Sequence, residues 1–151
     1  MRHREKLVEW EATVPDSIRG DVLWKRTVHR LALYLGDPCW DDVTALHRDG
    51  RTRRVADQLY RAVGSVSANI TEGYSRGSGK DRARFYEYSL GSAREFRDGC
   101  YKGRHKLGGD VTADRPDVLA DICRQLLGVL RNQPGRALRG PDVLYSTDGD
   151  A

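Results

Sequence analysis

The sequence predicts an all-α protein, an antiparallel up-down four-helix bundle. Apolar residues recur at the helical spacing of three and four in four separate segments, and no segment shows the alternating pattern of a strand. Most connections between these segments are short, which makes neighbouring helices antiparallel. The chain has 151 residues, of which 38% are hydrophobic and 32% charged, so its composition is that of a soluble protein with one core.

The bundle is predicted over residues 17–133, between two terminal segments. Residues 1–16 are expected to form a flexible arm, and their charged start lacks the apolar centre of a secretory signal. Residues 134–151 contain glycine and proline and are expected to form a disordered tail. Its apolar residues Val143, Leu144 and Tyr145 are available to dock on a partner. No apolar run is long enough to span a membrane, so no membrane partner is expected.

The first helix is predicted from about Asp21 to Leu35, with its apolar residues on one face. The sequence Gly-Asp-Pro at 36–38 is expected to end it, because glycine and proline are typical helix terminators. The connection that follows, from 36 to about 50, is longer than the others. Its Trp40 and Val43 are expected to pack over one end of the bundle.

The second and third helices are predicted from the strongest periodic patterns in the chain. The second covers about 52–72, and Gly73 follows it as a left-handed C-terminal cap. Ser78 is a suitable N-cap for the third helix, because its side chain can accept a hydrogen bond from a free backbone N–H. The glycine pair at 108 and 109 is expected to close this helix, which is the longest of the four.

The fourth helix is predicted to begin at Pro116, because proline suits the first turn of a helix. The pattern continues as far as Gln133. The apolar residues on its inner face are Leu119, Ile122, Cys123, Leu126 and Leu130. This face is expected to complete the core.

Positive charge is concentrated in the middle of the chain. Residues 51–107 hold 13 Lys and Arg against 6 Asp and Glu, whereas the whole chain has a net charge of only +4. This distribution favours a polyanion as partner. A solvated helical surface without a partner is the alternative interpretation.

The stretch GYSRGSGKD, residues 73–81, raises the question of a phosphate-binding loop. A Walker-type loop needs Gly, four residues and then Gly-Lys-Ser/Thr, between a strand and a helix. Tyr74 stands in place of the first glycine, Asp81 follows Lys80, and a helix precedes the loop. The stretch is therefore interpreted as a flexible basic connector. Ser78, Lys80 and the first N–H groups of the third helix can still contact phosphate there.

Helices two and three each carry a second face of small or apolar residues. Gly64 and Ala68 lie roughly opposite the core face of helix two, where a monomer normally places charge. Such faces favour self-association, although crowding of helices within a monomer is the alternative. The residues assigned to an oligomer interface are Tyr60, Gly64, Ala68, Tyr86, Leu90 and Tyr101.

No catalytic site, metal site or cofactor is predicted. The four histidines lie in different segments, and none has a His or Cys at the spacing of a metal site. No serine has a nearby histidine to activate it. The three cysteines are far apart and are expected to be reduced thiols in a cytoplasmic protein. The chain is therefore expected not to be an enzyme.

One block, QLYRAVGSVSANITEGYSRGSGKDRARFYEYSLGSAREF at residues 58–96, has an ordered series of small and charged residues. The series consists of Gln58, Arg61, Ala62, Ser65, Ala68, Asn69, Ile70, Glu72, Gly73, Arg84, Phe85, Gly91, Ser92 and Glu95. On these residues the chain resembles the four-helix-bundle family that includes the proteins encoded in intervening sequences of bacterial 23S ribosomal RNA genes. The same broad family includes the accessory variability proteins of diversity-generating retroelements. Trp24-Lys25 fits more weakly.

The resemblance implies an up-down four-helix protomer, a cyclic homopentamer and a nucleic-acid-linked role without known catalysis. Family members commonly carry two consecutive arginines where this chain has Tyr60-Arg61, which puts part of the implied basic surface in doubt. The motif residues expected to have a structural role are Asn69, Glu72, Gly73, Gly91 and Ser92. Glu72 is expected to pair with an arginine such as Arg61 or Arg76.

The leading prediction is a non-enzymatic adaptor that binds RNA or RNA/DNA through a basic surface repeated in an oligomer. The residues assigned to this surface are Arg54, Arg61, Arg76, Lys80, Arg82, Arg84, Lys102, Arg104 and Lys106. In the retroelement version the protein would also bind a reverse transcriptase. The alternatives are a protein of the ribosomal RNA intervening-sequence type and a protein scaffold without a nucleic-acid role.

Overall fold

The computed structural model describes residues 2–133, and every regular element in this range is helical, which confirms the all-α prediction. The helices are α1 (Arg2–Glu11), α2 (Asp16–Arg19), α3 (Thr27–Tyr34), α4 (Gly36–His47), α5 (Arg53–Tyr74), α6 (Gly79–Lys102), α7 (Arg104–Leu107) and α8 (Gly109–Arg131), with a 3-10 turn at Val22–Lys25. The expected tail, residues 134–151 with Val143, Leu144 and Tyr145, lies outside the described residues. No helix within 2–133 combines the length and the apolar character that crossing a membrane requires.

Helices α5 and α6 pack side by side in opposite directions. The buried Ser89 hydroxyl of α6 donates a hydrogen bond of 2.8 Å to the Val66 carbonyl of α5. One end of this pair brings Gly99 against Leu59, so closely that a Cβ at Gly99 would lie 2.8 Å from the leucine side chain. Glycine therefore sets the helix separation at this end.

The remaining helices cover the other sides of this pair. Helix α8 packs against α6 and α3, and helices α3 and α4 pack against α5. The Thr71 hydroxyl of α5 lies 3.4 Å from His29 Nε2 of α3. The largest fully buried side chains come from all of these helices: Leu31, Leu35, Leu46, Leu59, Ile70, Phe96, Leu119, Ile122, Leu126 and Leu130.

The predicted first helix, Asp21 to Leu35, is wrong in its start. Asp21 caps the 3-10 turn by accepting a hydrogen bond of 2.8 Å from the Leu23 N–H, and Arg26 is extended, so α3 begins at Thr27. The predicted end at Leu35 is within one residue of the end of α3 at Tyr34, and the sequence at 36–38 then begins helix α4. Pro38 lies in the first turn of α4, where a backbone N–H has no partner to lose.

The expected long connection is helix α4, and its two apolar residues differ in burial. Val43 is half-buried against the core, whereas Trp40 remains 63% exposed. The expectation that both cover one end of the bundle is therefore wrong for Trp40.

The expected N-terminal arm is instead helix α1, which packs against α3. Leu7 is buried, and the Trp10 ring stacks on Trp24 with a centroid distance of 5.9 Å. Glu11 and Arg30 form a salt bridge, with Arg30 Nε 2.8 Å from Glu11 Oε1. An apolar contact and an ion pair thus attach this segment to the fold.

Three further helix boundaries differ from the prediction. Helix α6 ends at Lys102, before the glycine pair 108 and 109 that was expected to close it, and the short helix α7 follows. Gly73 lies inside α5 without a left-handed backbone, and it faces Tyr86, whose ring would lie 2.8 Å from an added Cβ. Helix α8 begins at Gly109 and includes Pro116, which was expected to start it. Gly108, between α7 and α8, has φ +84°, a conformation that glycine adopts without strain.

Candidate nucleic-acid interface

The predicted nucleic-acid-binding residues lie mainly at two opposite ends of the α5–α6 pair. Helix α5 has 22 residues and is therefore about 33 Å long. The end with the connector between α5 and α6 carries Arg76, Lys80, Arg82 and Arg84. The other end carries Arg54, Lys102, Arg104 and Lys106, and Arg61 lies between the two ends on the exposed face of α5.

Much of the arginine charge at the connector end has an acidic partner. Arg76 forms a salt bridge of 2.5 Å with Glu72, and Arg84 lies 3.7 Å from Asp81. The two guanidinium groups also lie 4.7 and 5.2 Å from the centre of the Phe85 ring. A nucleic acid would have to compete with these carboxylates for both arginines.

The connector itself is a short capped turn. Ser78 caps α6 as predicted, since its hydroxyl accepts a hydrogen bond of 3.1 Å from the Asp81 N–H. Lys80 is exposed in the first turn of α6. Arg82 is half-buried and donates a hydrogen bond of 3.0 Å to the Gln133 side chain. Arg82 therefore tethers the end of α8.

The opposite end brings together cations from α5, α6 and α7 with Arg48, which directly follows α4. Helix α4 ends at His47, α5 begins at Arg53 and α6 ends at Lys102, while Gly103 lies against Leu46. We call the following exposed residues the basic end: Arg48, Arg53, Arg54, Lys102, Arg104 and Lys106. Among residues 2–133, none of these six has a carboxylate within salt-bridge distance.

An acidic residue and an exposed aromatic ring border the basic end. Hydrogen bonds from Arg51 hold the pKa of Asp49 well below its ordinary value, and the charge of Lys106 contributes to this shift. The Arg104 guanidinium lies 4.2 Å from the centre of the Tyr101 ring, which is 60% exposed. Arg48 was not predicted in this group, because the segment that places it was expected to be a loop.

Helices α4 and α5 also present an apolar groove to solvent. The rings of Trp40 and Tyr60 meet edge to face at 6.2 Å, and they are 63% and 52% exposed. These two residues line a groove of about 630 Å³ together with Val43 and polar side chains that include Arg61 and Arg48, so the groove adjoins the basic end. Gly64 is also exposed on α5, and space is open around the position of its missing Cβ.

Two residues assigned to an oligomer interface face the core of the protomer. Tyr86 is only 5% exposed and Leu90 only 8% exposed. The antiparallel packing of α6 between α5 and α8 buries a wider face of α6 than its periodicity suggests. Both assignments are therefore wrong, whereas Tyr60, Gly64, Ala68 and Tyr101 are exposed.

The remaining motif residues lie on α5 and α6. The Asn69 side chain donates a hydrogen bond of 2.8 Å to the Ser65 carbonyl, one turn earlier in the same helix. Gly91 is exposed, and Ser92 beside it is half-buried. Asn69 therefore makes a hydrogen bond within α5, and Gly91 and Ser92 lie wholly or partly at the surface of α6.

Several titratable side chains of the core lie close together, since Asp42 and Arg115 both influence the buried Cys39 and Cys100 thiols. Within the described chain, no three His, Cys, Asp or Glu side chains are placed to hold a metal ion. Cys39, Cys100 and Cys123 are all buried, and burial raises the pKa of the Cys39 and Cys100 thiols to about 12. Thiols with such pKa values are unreactive near neutral pH.

Comparison with known families gives one match. A family model described as 23S rRNA-intervening sequence protein matches residues 27–105. This range runs from α3 into α7 and includes five of the six residues of the basic end. Neither a curated protein nor a solved structure matches the chain significantly.

Proposed function

The chain belongs to the family of 23S rRNA-intervening sequence proteins, and on this premise we propose that it is a non-enzymatic adaptor that binds nucleic acid in the cytoplasm. The ligand is RNA or an RNA/DNA hybrid, bound through its phosphates. No cofactor takes part.

The observation that carries this proposal is the charge of the basic end. None of its six exposed Lys and Arg side chains has a carboxylate within salt-bridge distance among the described residues. Phosphate groups would therefore not have to displace a formed ion pair there, although the Asp49 carboxylate interacts electrostatically with Lys106. Binding of this kind releases counterions and depends steeply on salt. The basic end has no recognisable groove-reading motif, which favours contacts to the backbone over contacts to base edges.

The proposal includes a closed homo-oligomer of antiparallel four-helix protomers, with five subunits as the resemblance implies. Support comes from the exposed Trp40–Tyr60 pair and from Gly64 and Ala68 on the same side of the fold, where a second protomer can approach closely. A ring would repeat the basic end once in each subunit. Weak phosphate contacts would then add by avidity.

The proposal does not include a reverse transcriptase as partner. The matching family model describes intervening-sequence proteins, and it gives no support to the retroelement role. A scaffold that binds only proteins is the competing class, and the Trp40–Tyr60 groove would serve it equally well.

The test measures binding to a fluorescein-labelled, structured RNA by anisotropy over a series of salt concentrations. Two variants lose the same charge: Arg54→Gln/Lys102→Gln/Arg104→Gln at the basic end, and Arg76→Gln/Lys80→Gln/Arg84→Gln at the connector end. The basic-end variant should bind more weakly and with a shallower salt dependence, by up to about one unit of slope per lost contact. RNA affinity and salt dependence should change less in the connector-end variant, because Arg76 and Arg84 already have carboxylate partners in the wild type.

The opposite ranking would move the interface to the connector end. Absence of binding by the folded wild-type oligomer at low salt would contradict the nucleic-acid role and favour the scaffold.

A further inference from the structure

A cleft of about 450 Å³ opens at the connector end, far from the basic end. It lies between the 3-10 turn, the end of α5, the start of α6 and the end of α8. Its apolar lining consists of Leu23, Val28, Ile70, Leu126 and Val129. The volume is within the range of about 300–1,000 Å³ that is typical of small-molecule sites.

Two arginines border this apolar cleft. Arg26 lies 5.6 Å from the centre of the Tyr74 ring, and the Arg82 guanidinium is oriented by its hydrogen bond of 3.0 Å to Gln133. Neither arginine has a carboxylate within salt-bridge distance in the described part of the chain. Two positive charges therefore face the same space without compensation.

Polar groups of the lining lie within reach of both charges. Burial raises the pKa of Tyr86, and the charges of Arg26 and Arg82 oppose that rise, so both guanidinium groups act on the same phenol. Tyr74 adds a second phenol, whereas the Gln133 amide is already hydrogen-bonded to Arg82 and to the Val129 carbonyl. The cleft thus combines an apolar floor, two cations and two phenol groups.

This combination matches one class of ligand. Two guanidinium groups bind a dianion such as phosphate with charge-assisted hydrogen bonds. The apolar floor and the Tyr74 ring suit a flat ring, and the neutral polar groups suit the heteroatoms at its edge. We propose that this cleft binds a small phosphate monoester that carries an aromatic or heterocyclic group, such as a nucleoside monophosphate.

The same chemistry has two sources in a cell, a free nucleotide and the 5′-phosphorylated end of a nucleic acid. The site differs from the proposed phosphate-binding surface, because the two lie at opposite ends of α5. The basic-end variant Arg54→Gln/Lys102→Gln/Arg104→Gln should therefore bind the phosphate monoester in the cleft as tightly as the wild type does.

Calorimetric titration of the full chain tests the ligand class. AMP and phenyl phosphate should bind, whereas adenosine and inorganic phosphate, each lacking one half of the ligand, should bind at least about tenfold more weakly. Equal binding of inorganic phosphate and AMP would overturn the proposal, and so would absence of AMP binding. A 5′-phosphorylated oligonucleotide that displaces AMP, beside a 5′-hydroxyl twin that does not, assigns the site to a nucleic-acid end. AMP binding without such displacement assigns it to the free nucleotide.

Variants test the position of the site. Arg26→Gln should weaken AMP binding about tenfold, and Val129→Phe should weaken it by filling the cleft without loss of charge. Lys25→Gln is the matched control, because this exposed neighbour of Arg26 does not line the cleft. Unchanged AMP affinity in both Arg26→Gln and Val129→Phe, with the fold intact, would overturn the proposal.

The chain's own C-terminal segment is the competing occupant, because it follows Gln133 at the rim of the cleft. Residues 134–151 hold the three aspartates Asp142, Asp148 and Asp150. Their joint replacement by Asn should leave AMP affinity unchanged. An increase of about tenfold or more would show that the tail competes for the two arginines, and the cleft would then be an intramolecular docking site.

Discussion

Asp42 of α4 and Arg115 of α8 form a buried ion pair with two hydrogen bonds. Arg115 Nε lies 2.7 Å from Asp42 Oδ2, and a terminal nitrogen of the same guanidinium lies 3.2 Å from Oδ1. Asp114 accepts a further hydrogen bond of 2.5 Å from the second terminal nitrogen. The two residues are 73 positions apart in the sequence, and their pair joins α4 to α8.

Removal of the Asp42 charge should destabilise the fold. Asp42→Asn would leave a buried guanidinium with only Asp114 as counterion, and breaking a buried pair in this way costs about 3 kcal/mol. Urea unfolding measures the loss. Asp98→Asn, at an exposed pair with Arg97, is the control and should change the free energy of unfolding by less than about 0.5 kcal/mol.

The double variant Asp42→Leu/Arg115→Met separates the cost of an unpaired charge from the value of the pair itself. An apolar replacement of both partners should recover part of the loss, because neither member of the buried pair remains charged. The recovery should be incomplete, because the half-buried Asp114 carboxylate loses its hydrogen bond from Arg115. A loss for Asp42→Asn as small as that for Asp98→Asn would contradict the buried-pair interpretation.

His29 should make the fold sensitive to mild acid. Burial lowers its pKa from 6.5, opposed by Asp21 and assisted by Arg30, and its Nδ1 has no hydrogen-bond partner within the described residues. The unfolded chain then takes up a proton at a higher pH than the folded chain. The contribution of His29 to the free energy of unfolding should therefore have its full value above about pH 6.5, and the free energy of unfolding should decrease as the pH falls below this value.

Urea unfolding at about pH 7.5 and about pH 5.5 checks the sign of this effect. His29→Gln removes the titrating group and should reduce the difference between the two conditions. His105→Gln, at an exposed position, should leave the difference as it is in the wild type. An identical pH dependence in the wild type and His29→Gln would exclude His29 as the source.

Two glycines of α5 should respond in opposite directions to alanine. Gly64 is exposed with open space at the Cβ position of the protomer, so Gly64→Ala should stabilise the dissociated protomer by about 1 kcal/mol. At Gly73 an added Cβ would lie 2.8 Å from the Tyr86 ring and 3.2 Å from the Arg82 carbonyl. Gly73→Ala should therefore destabilise the protomer, as measured by thermal unfolding. Similar stabilisation by both substitutions would contradict the close approach of α5 and α6.

The Trp40–Tyr60 groove should carry part of the proposed oligomer interface. Trp40→Glu should lower the mass measured by light scattering, because a buried carboxylate without a partner opposes association. Tyr88→Glu is the control, since Tyr88 is a similarly exposed aromatic residue at 53% but lies outside the groove. Leu90→Glu is unsuitable as a probe of association because Leu90 is buried within the protomer.

An unchanged oligomer in Trp40→Glu would place the interface elsewhere on the exposed surface. A wild-type protein that is monomeric at micromolar concentration would contradict the oligomer altogether.

Local sequence was sufficient to identify α5 and α6. Their apolar periodicity is strong, and Ser78 caps α6 through a hydrogen bond with Asp81, only three residues away in the sequence. The bounds of α3, α4 and α8 could not be obtained in the same way. Glycine and proline normally oppose a helix. Here Gly36 and Pro38 lie in the first turn of α4. Pro116 lies inside α8 directly after Arg115, and the pairing of Arg115 with Asp42 holds this part of α8 in place.

Periodicity and charge are properties of neighbouring residues, so the helical class and the concentration of positive charge at residues 51–107 could be predicted without the fold. Which of these charges have a carboxylate partner depends on how the helices pack. Glu72 and Asp81 compensate Arg76 and Arg84, whereas the antiparallel arrangement of α5 and α6 places Arg54 and Lys102 at the same end of the pair, and neither has a carboxylate within salt-bridge distance among the described residues. Burial of Tyr86 and Leu90 was decided in the same way, because it depends on helices that are distant in the sequence and meet only in the folded protein.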